Sequence, residues 1–312
     1  MCYHLPTSPY GGRAIEIGRL LTAMVTPFDE SGAVDYAQAK RLALALLESG
    51  SDGVVLAGTT GESPTLSHEE KMRLFGEVKE AVGSRGVVMA GTGTYNTAES
   101  AELSREAERL GMDAVLLTCP YYNRPTQEGL YRHFETIARS VSLPCIMYNI
   151  PGRTGVNMTA ETQVRLSQVE NIAGVKEASG DLAQIAQVIE GARPGFQVWS
   201  GDDQLALPIL GIGGYGVISV VSHLAGAQMR KIVKSYLDGS VDEASRVHRR
   251  LLPLMTVLMT AAGNPAGVKH ALNGIGFGVG SPRLPLVAAD EAAGEAIMAE
   301  VQRQQVNLPV AV

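Results

Sequence analysis

The stretch IAGVKEASG, residues 172–180, places a lysine directly after an apolar run. Residues 172–175 have the composition of a buried strand, whereas a lysine ammonium is strongly hydrated and almost never fully buried without a partner. One interpretation is that Lys176 marks the solvent-exposed end of the strand. The other is that the amine is desolvated, which lowers its pKa and lets it attack a carbonyl carbon. The arrangement of the rest of the chain distinguishes the two.

Further runs of similar composition lie along the chain, and eight strands are predicted in all. Each is a nearly continuous run of valine, isoleucine and leucine, which is typical of parallel strands covered on both faces. The predicted strands are residues 20–28, 53–60, 86–93, 114–120, 144–150, 172–178, 196–202 and 215–221.

Helical patterns lie between these strands, and their ends carry recognisable signals. Three predicted helix starts have the spacing of a capping box or something close to it: Asp35 with Gln38, Ser67 with Glu70, and Asn96 with Glu99. Three glycines fall where these helices should stop: Gly50, Gly83 and Gly111. Eight strand–helix units in about 225 residues have the number and size of a (β/α)8 TIM barrel, a fold of the α/β class.

The alternation of strands and helices ends after the eighth unit. Residues 241–259, 265–276 and 289–305 have helical patterns with no predicted strand between them. We therefore predict three regions: a flexible N-terminal extension over residues 1–14, the barrel over 15–239 and a C-terminal helical subdomain over 240–312.

Composition excludes several classes of partner. The net charge of −6, with no basic run, argues against binding to nucleic acid or to an anionic membrane surface. No apolar run approaches the ~20 residues that span a bilayer, and the N-terminus has no apolar core of a secretory signal. Three cysteines give no disulfide framework, and Cys119 and Cys145 fit small core residues. We therefore predict a cytoplasmic protein.

In a TIM barrel the chemistry takes place at the C-terminal ends of the strands. Here those positions carry mostly neutral hydroxyl groups and few charges: Thr26, Thr59, Thr60, Thr92, Thr118, Tyr121, Tyr122, Tyr148, Asn149, Lys176, Glu177, Ser200, Asp202 and Ser219. One lysine among hydroxyls and apolar walls suits a neutral amine that attacks a ketone while the hydroxyls carry protons. This context favours a catalytic role for Lys176.

Two loops after strands are candidate carboxylate sites. In AGTTGES, residues 57–63, the glycines let backbone N–H groups converge, and Thr59 and Thr60 add hydroxyl donors. The alternative is an ordinary βα turn. In YNIPGRTG, residues 148–155, Arg153 can bind a second carboxylate with two hydrogen bonds, although taken alone it is as readily a surface arginine.

Other patterns do not support a cofactor. GIGGYG, residues 211–216, matches the glycine spacing of a dinucleotide site, but it precedes a strand and opens no helix. The histidines lack metal-ligand spacing, so no metal site is predicted. No glycine-rich phosphate loop follows the seventh or eighth strand.

Six stretches, in this order along the chain, closely resemble the dihydrodipicolinate synthase family: GTTGESPTL, TCPYYNRPTQEGLYRHF, YNIPGRTG, GVKEASGD, SGDDQLALP and GGYGVISV. The resemblance extends from about residue 17 to the C-terminus. It implies a Schiff-base lyase with a (β/α)8 barrel that condenses pyruvate with L-aspartate-4-semialdehyde in the diaminopimelate and lysine pathway. It also implies a covalent imine in place of any cofactor, and a homotetramer built as a dimer of dimers.

The resemblance assigns roles to individual residues. The implied catalytic residues are Lys176 as the Schiff-base lysine, Tyr148 as proton donor and acceptor, and Thr59 and Tyr122 as the rest of the proton relay, with the tyrosine coming from a neighbouring subunit. The implied substrate contacts are Thr60 and the backbone of Ile218 for pyruvate, and Arg153 for the semialdehyde carboxylate; Gly201 is a further substrate-binding position.

Two alternatives remain at this point. N-acetylneuraminate lyases and keto-deoxy-sugar-acid aldolases share the barrel, the lysine and the tyrosine. Thr60 with Arg153 favours the synthase, because a sugar aldehyde offers Arg153 no carboxylate. A catalytically inactive barrel that acts as a binding protein is expected to have lost Lys176 or Tyr148, and both are present.

Many members of the family are inhibited by lysine bound at a dimer interface. The positions that resemble this regulatory site are Ser63, His68, Lys71, Tyr95, Glu99 and Tyr121. Strongly inhibited members carry a second histidine at the position of Lys71 and an asparagine at the position of Tyr95. We therefore predict weak or absent inhibition by lysine; the alternative is that Lys71 points into solvent and the site survives.

Overall fold

The computed structural model describes residues 17–310, so the extension predicted for residues 1–14 lies outside the described part of the chain. All eight predicted strands are present, each shorter than its apolar run. They are β1 (Leu20–Ala23), β2 (Gly53–Leu56), β3 (Val87–Gly91), β4 (Ala114–Thr118), β5 (Cys145–Asn149), β6 (Ile172–Glu177), β7 (Gln197–Ser200) and β8 (Gly216–Ser219). The strands are parallel and pair in sequence order, and β8 returns to β1. The predicted TIM barrel is thus confirmed.

Helices follow the strands around the barrel. Their bounds are α1 (Tyr36–Glu48), α2 (His68–Val82), α3 (Thr97–Arg109), α4 (Gln127–Ala138), α5 (Pro151–Thr154), α6 (Ala160–Leu166), α7 (Leu182–Gly191), α8 (Ala206–Gly211), α9 (Ser222–Leu237), α10 (Val241–Thr260), α11 (Ala266–Gly274) and α12 (Glu291–Arg303). Two short 3-10 turns occupy Ser63–Thr65 and Asp203–Leu205. Among residues 17–310, no strand follows β8, and no helix is long and apolar enough to cross a membrane.

The predicted capping signals are present at the starts of the first three helices. The Asp35 side chain accepts the N–H of Gln38, and Ser67 and Glu70 form a complete capping box. Asn96 accepts two backbone N–H groups at the start of α3. Such caps satisfy donors that a helix start otherwise leaves unpaired, at roughly 1 kcal/mol each. The glycines predicted to end these helices all have positive φ angles: Gly50, Gly83 and Gly111.

The alternation of side chains along each strand divides the core into two parts. Side chains on one face of the strands fill the inside of the barrel, including Leu21, Val55, Met89, Leu116, Ile146, Trp199 and Ile218. Those on the other face pack against the surrounding helices. The Trp199 indole donates to the Gly18 carbonyl at 3.0 Å, so its one polar atom is satisfied. The packed interior provides a closed floor for a site at the C-terminal ends of the strands.

Candidate active site

Lys176 and Tyr148 are neighbours inside the barrel. They are register partners on β6 and β5, and the Lys176 Nζ lies 4.2 Å from the centroid of the Tyr148 ring. Lys176 is only 5% exposed and Tyr148 only 3% exposed. The interpretation of Lys176 as a solvent-exposed strand end is therefore wrong. The side chain continues the inward face of β6 rather than leaving the sheet.

Burial changes the ionisation of the lysine. Desolvation lowers the pKa of Lys176 to about 8, although the charge of Asp203 opposes this effect and that of Arg153 adds to it. At pH 7 a pKa of about 8 leaves roughly a tenth of the amine neutral, compared with about three parts in ten thousand at the ordinary value. The site thus maintains a usable fraction of nucleophile near neutral pH.

Burial acts in the opposite sense on the phenol. It raises the pKa of Tyr148 to about 12, while Arg153 and a hydrogen bond with the Thr59 hydroxyl oppose the rise. Tyr148 therefore stays protonated at neutral pH and can donate a proton to a reacting oxygen beside Lys176. Thr59 gives that proton a hydrogen-bonded neighbour. The structure thus brings Lys176, Tyr148 and Thr59 into one connected group.

A cavity of about 290 Å³ opens beside this group. Its lining includes Ala57, Gly58, Thr59, Glu62, Ser63, Thr118, Tyr121, Ile150, Arg153 and Asn264. Lys176 and Tyr148 do not line the cavity, but Thr59 both lines it and bonds to Tyr148. Arg153, on the short helix α5, faces the same space and donates to the Asn264 carbonyl at 3.5 Å. A small organic molecule with a group for Arg153 suits a cavity of this size, whose lining is mostly apolar.

Of the substrate contacts implied by the resemblance, Gly201 lies directly against the lysine. Thr60 is buried, and Asn264 Nδ2 donates to its hydroxyl oxygen at 2.8 Å. Gly201 lies so close to Lys176 that a Cβ there would sit 3.1 Å from the lysine Cγ and Cε. Ile218 lies on β8 within the barrel core. Only a residue without a side chain fits at position 201 beside an extended lysine.

The loop that carries Thr59 and Thr60 is held by the C-terminal helices. Glu62 has a left-handed conformation, with φ of 56°, which costs a non-glycine residue of order 1 kcal/mol. Its buried carboxylate lies 2.7 Å from Lys269 Nζ and accepts the backbone N–H of Arg283 at 2.8 Å. These contacts fix the loop from residues more than 200 positions away along the chain.

Sequence analysis missed Asn264, Lys269, Arg283 and Asp203 as contributors to this site. Glu62 lies within the stretch AGTTGES, residues 57–63, but no role was predicted for it. The one local signal for Lys269 is a lysine inside the apolar helix pattern PAGVKHAL, residues 265–272, which predicts a buried position. Nothing in the sequence pairs that position with Glu62.

Tyr122 is not packed into the site of its own chain. Its side chain is 91% exposed, and its φ of 72° is unusual for a non-glycine residue. Tyr121, by contrast, lines the cavity.

Most of the residues that resemble a regulatory site are adjacent. The rings of Tyr95 and Tyr121 make a T-shaped contact with centroids 5.1 Å apart. Lys71 is only 9% exposed; burial lowers its pKa and the charge of Glu99 opposes this. The alternative in which Lys71 points into solvent is therefore wrong. His68 pairs with Glu106 at 2.9 Å, and Ser63 lines the cavity.

The glycine-rich stretch 211–216 links the end of α8 to β8, so it opens no helix, as predicted. In the described part of the chain, no group of three or more histidine, cysteine, aspartate or glutamate side chains could hold a metal ion.

Comparisons with known proteins identify the family of this chain. The model of the dihydrodipicolinate synthetase family matches residues 16–304. The 4-hydroxy-tetrahydrodipicolinate synthase of Dehalococcoides mccartyi is 54% identical over 295 residues, which cover 95% of this chain and 99% of that protein.

Solved structures give the same result. Dihydrodipicolinate synthase from Bacillus anthracis superposes with a TM-score of 0.91 at 42% identity, covering 94% of this chain and all of that one. The enzyme from Cyanidioschyzon merolae, solved with lysine bound, has a TM-score of 0.90 at 43% identity and covers 92% of this chain and 98% of its own. Since the family model and these relatives extend over nearly the whole sequence, the resemblance found in six motifs is confirmed and this chain belongs to the dihydrodipicolinate synthetase family.

Proposed function

We propose that this chain catalyses the 4-hydroxy-tetrahydrodipicolinate synthase reaction, in which pyruvate condenses with L-aspartate-4-semialdehyde through an imine on Lys176. The observation that carries the proposal is the buried contact between Lys176 and Tyr148, 4.2 Å from nitrogen to ring centroid. Burial of the pair lowers the pKa of the amine and raises the pKa of the phenol. A nucleophile and an acid are therefore available together at neutral pH.

Imine formation uses both groups. The neutral Lys176 amine attacks the keto carbon of pyruvate, and the new C–N bond gives a carbinolamine. Tyr148 donates a proton to the former keto oxygen, while the nitrogen loses one of its two protons to the relay, which passes it back to Tyr148. A second proton from Tyr148, replaced by one taken up from solvent, lets this oxygen leave as water. The product is an iminium with one positive charge, and no cofactor is consumed. Thr59 and the relay return a proton to Tyr148.

Condensation follows from the iminium. Its positive nitrogen withdraws electrons and makes the pyruvate methyl group acidic. Loss of a methyl proton gives an enamine, whose carbon attacks the aldehyde carbon of the second substrate to form the C–C bond. The Tyr148 hydroxyl then donates a proton to the resulting alkoxide. Tyr148, whose ring lies 4.2 Å from the Lys176 nitrogen, suits each transfer when the reacting oxygen lies ~3 Å from its hydroxyl.

Carboxylate recognition distinguishes the two substrates. The Asn264 amide donates to the Thr60 oxygen, which leaves the Thr60 proton free for a pyruvate carboxylate oxygen beside Gly201 and the Ile218 backbone. Arg153 lines the cavity and receives the carboxylate of the semialdehyde. A sugar aldehyde would leave this arginine without a partner, so the arrangement favours the synthase over the sugar-acid aldolases.

We further propose that the chain works as a homotetramer, a dimer of dimers, in the cytoplasm. A tyrosine that is 91% exposed in a strained backbone conformation needs a compensating contact, and Tyr122 would find one in the site of a neighbouring subunit. Two buried cysteines without disulfides, Cys119 and Cys145, suit a reducing compartment. We retain 15–239 as the barrel and 240–312 as the helical subdomain, whose role is to hold the loop of Thr60.

The experiment is to trap the imine and then compare substrates. Borohydride reduction with pyruvate should label the peptide that contains residues 172–180, and turnover should follow with aspartate semialdehyde but not with sugar aldehydes. Labelling at another lysine would contradict the mechanism. Trapping at Lys176 with turnover of sugar aldehydes alone would favour the aldolase alternative, and no trapping at all would favour the inactive barrel.

A further inference from the structure

Asp203 lies two residues beyond Gly201, the residue after β7 whose backbone is in contact with the Lys176 side chain. We propose that Asp203 is a positioning residue that supplies the counter-charge for the nitrogen of Lys176, first as ammonium and then as the pyruvate iminium. This proposal rests on the imine chemistry proposed above, and it adds a residue that makes no contact with substrate.

The backbone brings Asp203 to the lysine. At Gly201 a Cβ would sit 3.1 Å from two carbons of the Lys176 side chain, so the two chains are in contact there. The Gly201 N–H donates to the Glu177 carbonyl at 2.7 Å, which fixes this approach. Asp203 follows two residues later, at the first position of the 3-10 turn, and is 7% exposed. The backbone that leads into Asp203 is therefore anchored at its contact with Lys176.

Local hydrogen bonds favour the ionised form of the Asp203 carboxyl. Its Oδ2 accepts the backbone N–H groups of Val220 and Val221 at 2.9 and 2.8 Å, at the start of α9. A helix start favours a negative charge. Burial raises the pKa of Asp203, and these bonds together with the nearby Ser219 hydroxyl oppose the rise. The other oxygen, Oδ1, is buried and makes no well-formed hydrogen bond with any residue between 17 and 310. The carboxylate therefore has an oxygen left for a cation.

The other charged groups around Lys176 do not replace it. The positive charge of Arg153 lowers the pKa of Lys176, so Arg153 does not act as a counter-charge. Glu177 follows Lys176 but lies on the outer face of β6, where Asn149 and Gln163 donate to it. Asp202 caps the 3-10 turn, and its charge acts on Tyr148. Asp203 is thus the carboxylate, within the described residues, whose charge raises the pKa of Lys176.

Removing this charge has a consequence that depends on pH. In the reaction, a neutral amine, pyruvate and a proton give the iminium and water, so one positive charge appears on the nitrogen. Below the pKa of Lys176 the resting nitrogen is already positive, so loss of the counter-charge destabilises the free enzyme and the iminium equally. Above that pKa only the iminium is positive, so only the iminium is destabilised. The affinity for pyruvate should therefore fall at alkaline pH and hardly change at acid pH.

The test uses Asp203→Asn, whose amide oxygen can still accept the two N–H groups, and Asp203→Ser as a second uncharged variant. Asp202→Asn is the matched control, because it removes the neighbouring carboxylate. For each protein, the fraction of Lys176 trapped by borohydride is measured against pyruvate concentration, well below and well above the wild-type pKa of about 8. The fluorescence of Trp199, the one tryptophan of the chain, reports on folding next to Lys176.

The expected result for both Asp203 variants is an apparent pKa about 1 pH unit or more below that of the wild type, as an opposite charge nearby shifts a pKa by ~1–3. Above the wild-type pKa, the affinity for pyruvate should fall tenfold for each pH unit by which the pKa of Lys176 is lowered, so about tenfold or more. At acid pH the affinity should change little. Asp202→Asn should follow the wild-type curve.

Three results would overturn the proposal. A variant curve identical to the wild type would show that the charge does not act on Lys176. An equal loss at every pH would show that Asp203 only caps α9. Two variants that both fail to fold would make Asp203 a structural residue. Absence of trapping at Lys176 in the wild type is a separate outcome, and it would contradict the proposed function itself.

Discussion

Asn149 donates a hydrogen bond to the buried carboxylate of Glu177, from Nδ2 to Oε1 at 2.8 Å, on the outer face of β5 and β6. These two residues are register partners and stand one position beyond Tyr148 and Lys176, which point to the inner face. Gln163 of α6 donates to the same oxygen at 2.7 Å. A satisfied buried carboxylate thus holds the two strands in the register that places the phenol beside the amine.

Asn149→Ala should therefore weaken both the protein and the site. It leaves a buried carboxylate with one donor fewer, which costs roughly 1–3 kcal/mol of unfolding free energy. It should also lower kcat, because the register of Tyr148 and Lys176 is less constrained. Urea unfolding and steady-state kinetics measure the two effects. The control is Asn157→Ala, which removes an exposed partner of Asn149 without touching Glu177; equal losses in both variants would argue against the register explanation.

Lys176→Met should abolish turnover and yet stabilise the protein at neutral pH. The folded-state pKa of about 8 lies below the ordinary 10.5, so between these values the unfolded chain binds more protons and wild-type stability rises with pH. Below pH 8 the full penalty is present, and the difference in pKa corresponds to about 3 kcal/mol. The gain on substitution should shrink as the pH approaches 10.5.

Thermal unfolding across this pH range, at fixed protein concentration, measures the gain. Lys269→Met provides a control of opposite sign, because it removes one partner of the buried pair with Glu62 and should destabilise by roughly 3–5 kcal/mol. A Lys176→Met protein that is less stable than the wild type at pH 7 would contradict the desolvation of the amine.

Arg153→Ala should raise KM for aspartate semialdehyde far more than KM for pyruvate. The lost charge-assisted hydrogen bond is worth roughly 1.5–3 kcal/mol, which is about tenfold to a hundredfold in kcat/KM. Arg165→Ala is a suitable control, since Arg165 is an exposed arginine paired with Glu128. Equal increases for both substrates would show that Arg153 does not select the semialdehyde.

Tyr122 and Lys176 should complement each other across a subunit boundary. Tyr122→Phe and Lys176→Ala are each expected to be inactive alone. Hybrids assembled from the two should regain part of the activity, because some mixed pairs contain one intact site. The measurement is turnover by hybrids whose composition is verified by mass spectrometry. Verified hybrids without activity would place the tyrosine in its own subunit's site or in none.

Lysine should inhibit this chain weakly or not at all. Lys71 is buried, and its charge lies near Glu99, the carboxylate that a ligand ammonium would need. A ligand ammonium ~4 Å from Lys71 would meet a repulsion of about 4 kcal/mol at an effective dielectric constant of ~20, before screening. Initial rates against L-lysine decide this, with the double variant Lys71→His, Tyr95→Asn expected to bind lysine more tightly. Half-inhibition of the unmodified chain below the millimolar range would contradict it.

The amino-acid sequence was sufficient for the strands, the closed barrel and the family, because these depend on signals that repeat locally. A run of β-branched and aliphatic residues predicts a strand buried on both faces wherever it stands, and Asp35 or Ser67 marks a helix start through neighbours three residues away. The motif around Lys176 also consists of residues that are neighbours in the sequence.

The environment of Lys176 could not be obtained in this way, since it depends on contacts between distant parts of the chain. The burial of the amine depends on Tyr148 of β5 and on Gly201 just after β7, and its ionisation depends also on the charge of Asp203. The loop of Thr60 is held by Asn264 from more than 200 residues away. A single polar residue in a helix forms no periodic pattern from which its partner could be predicted. These pairs form only when folding removes both members from water.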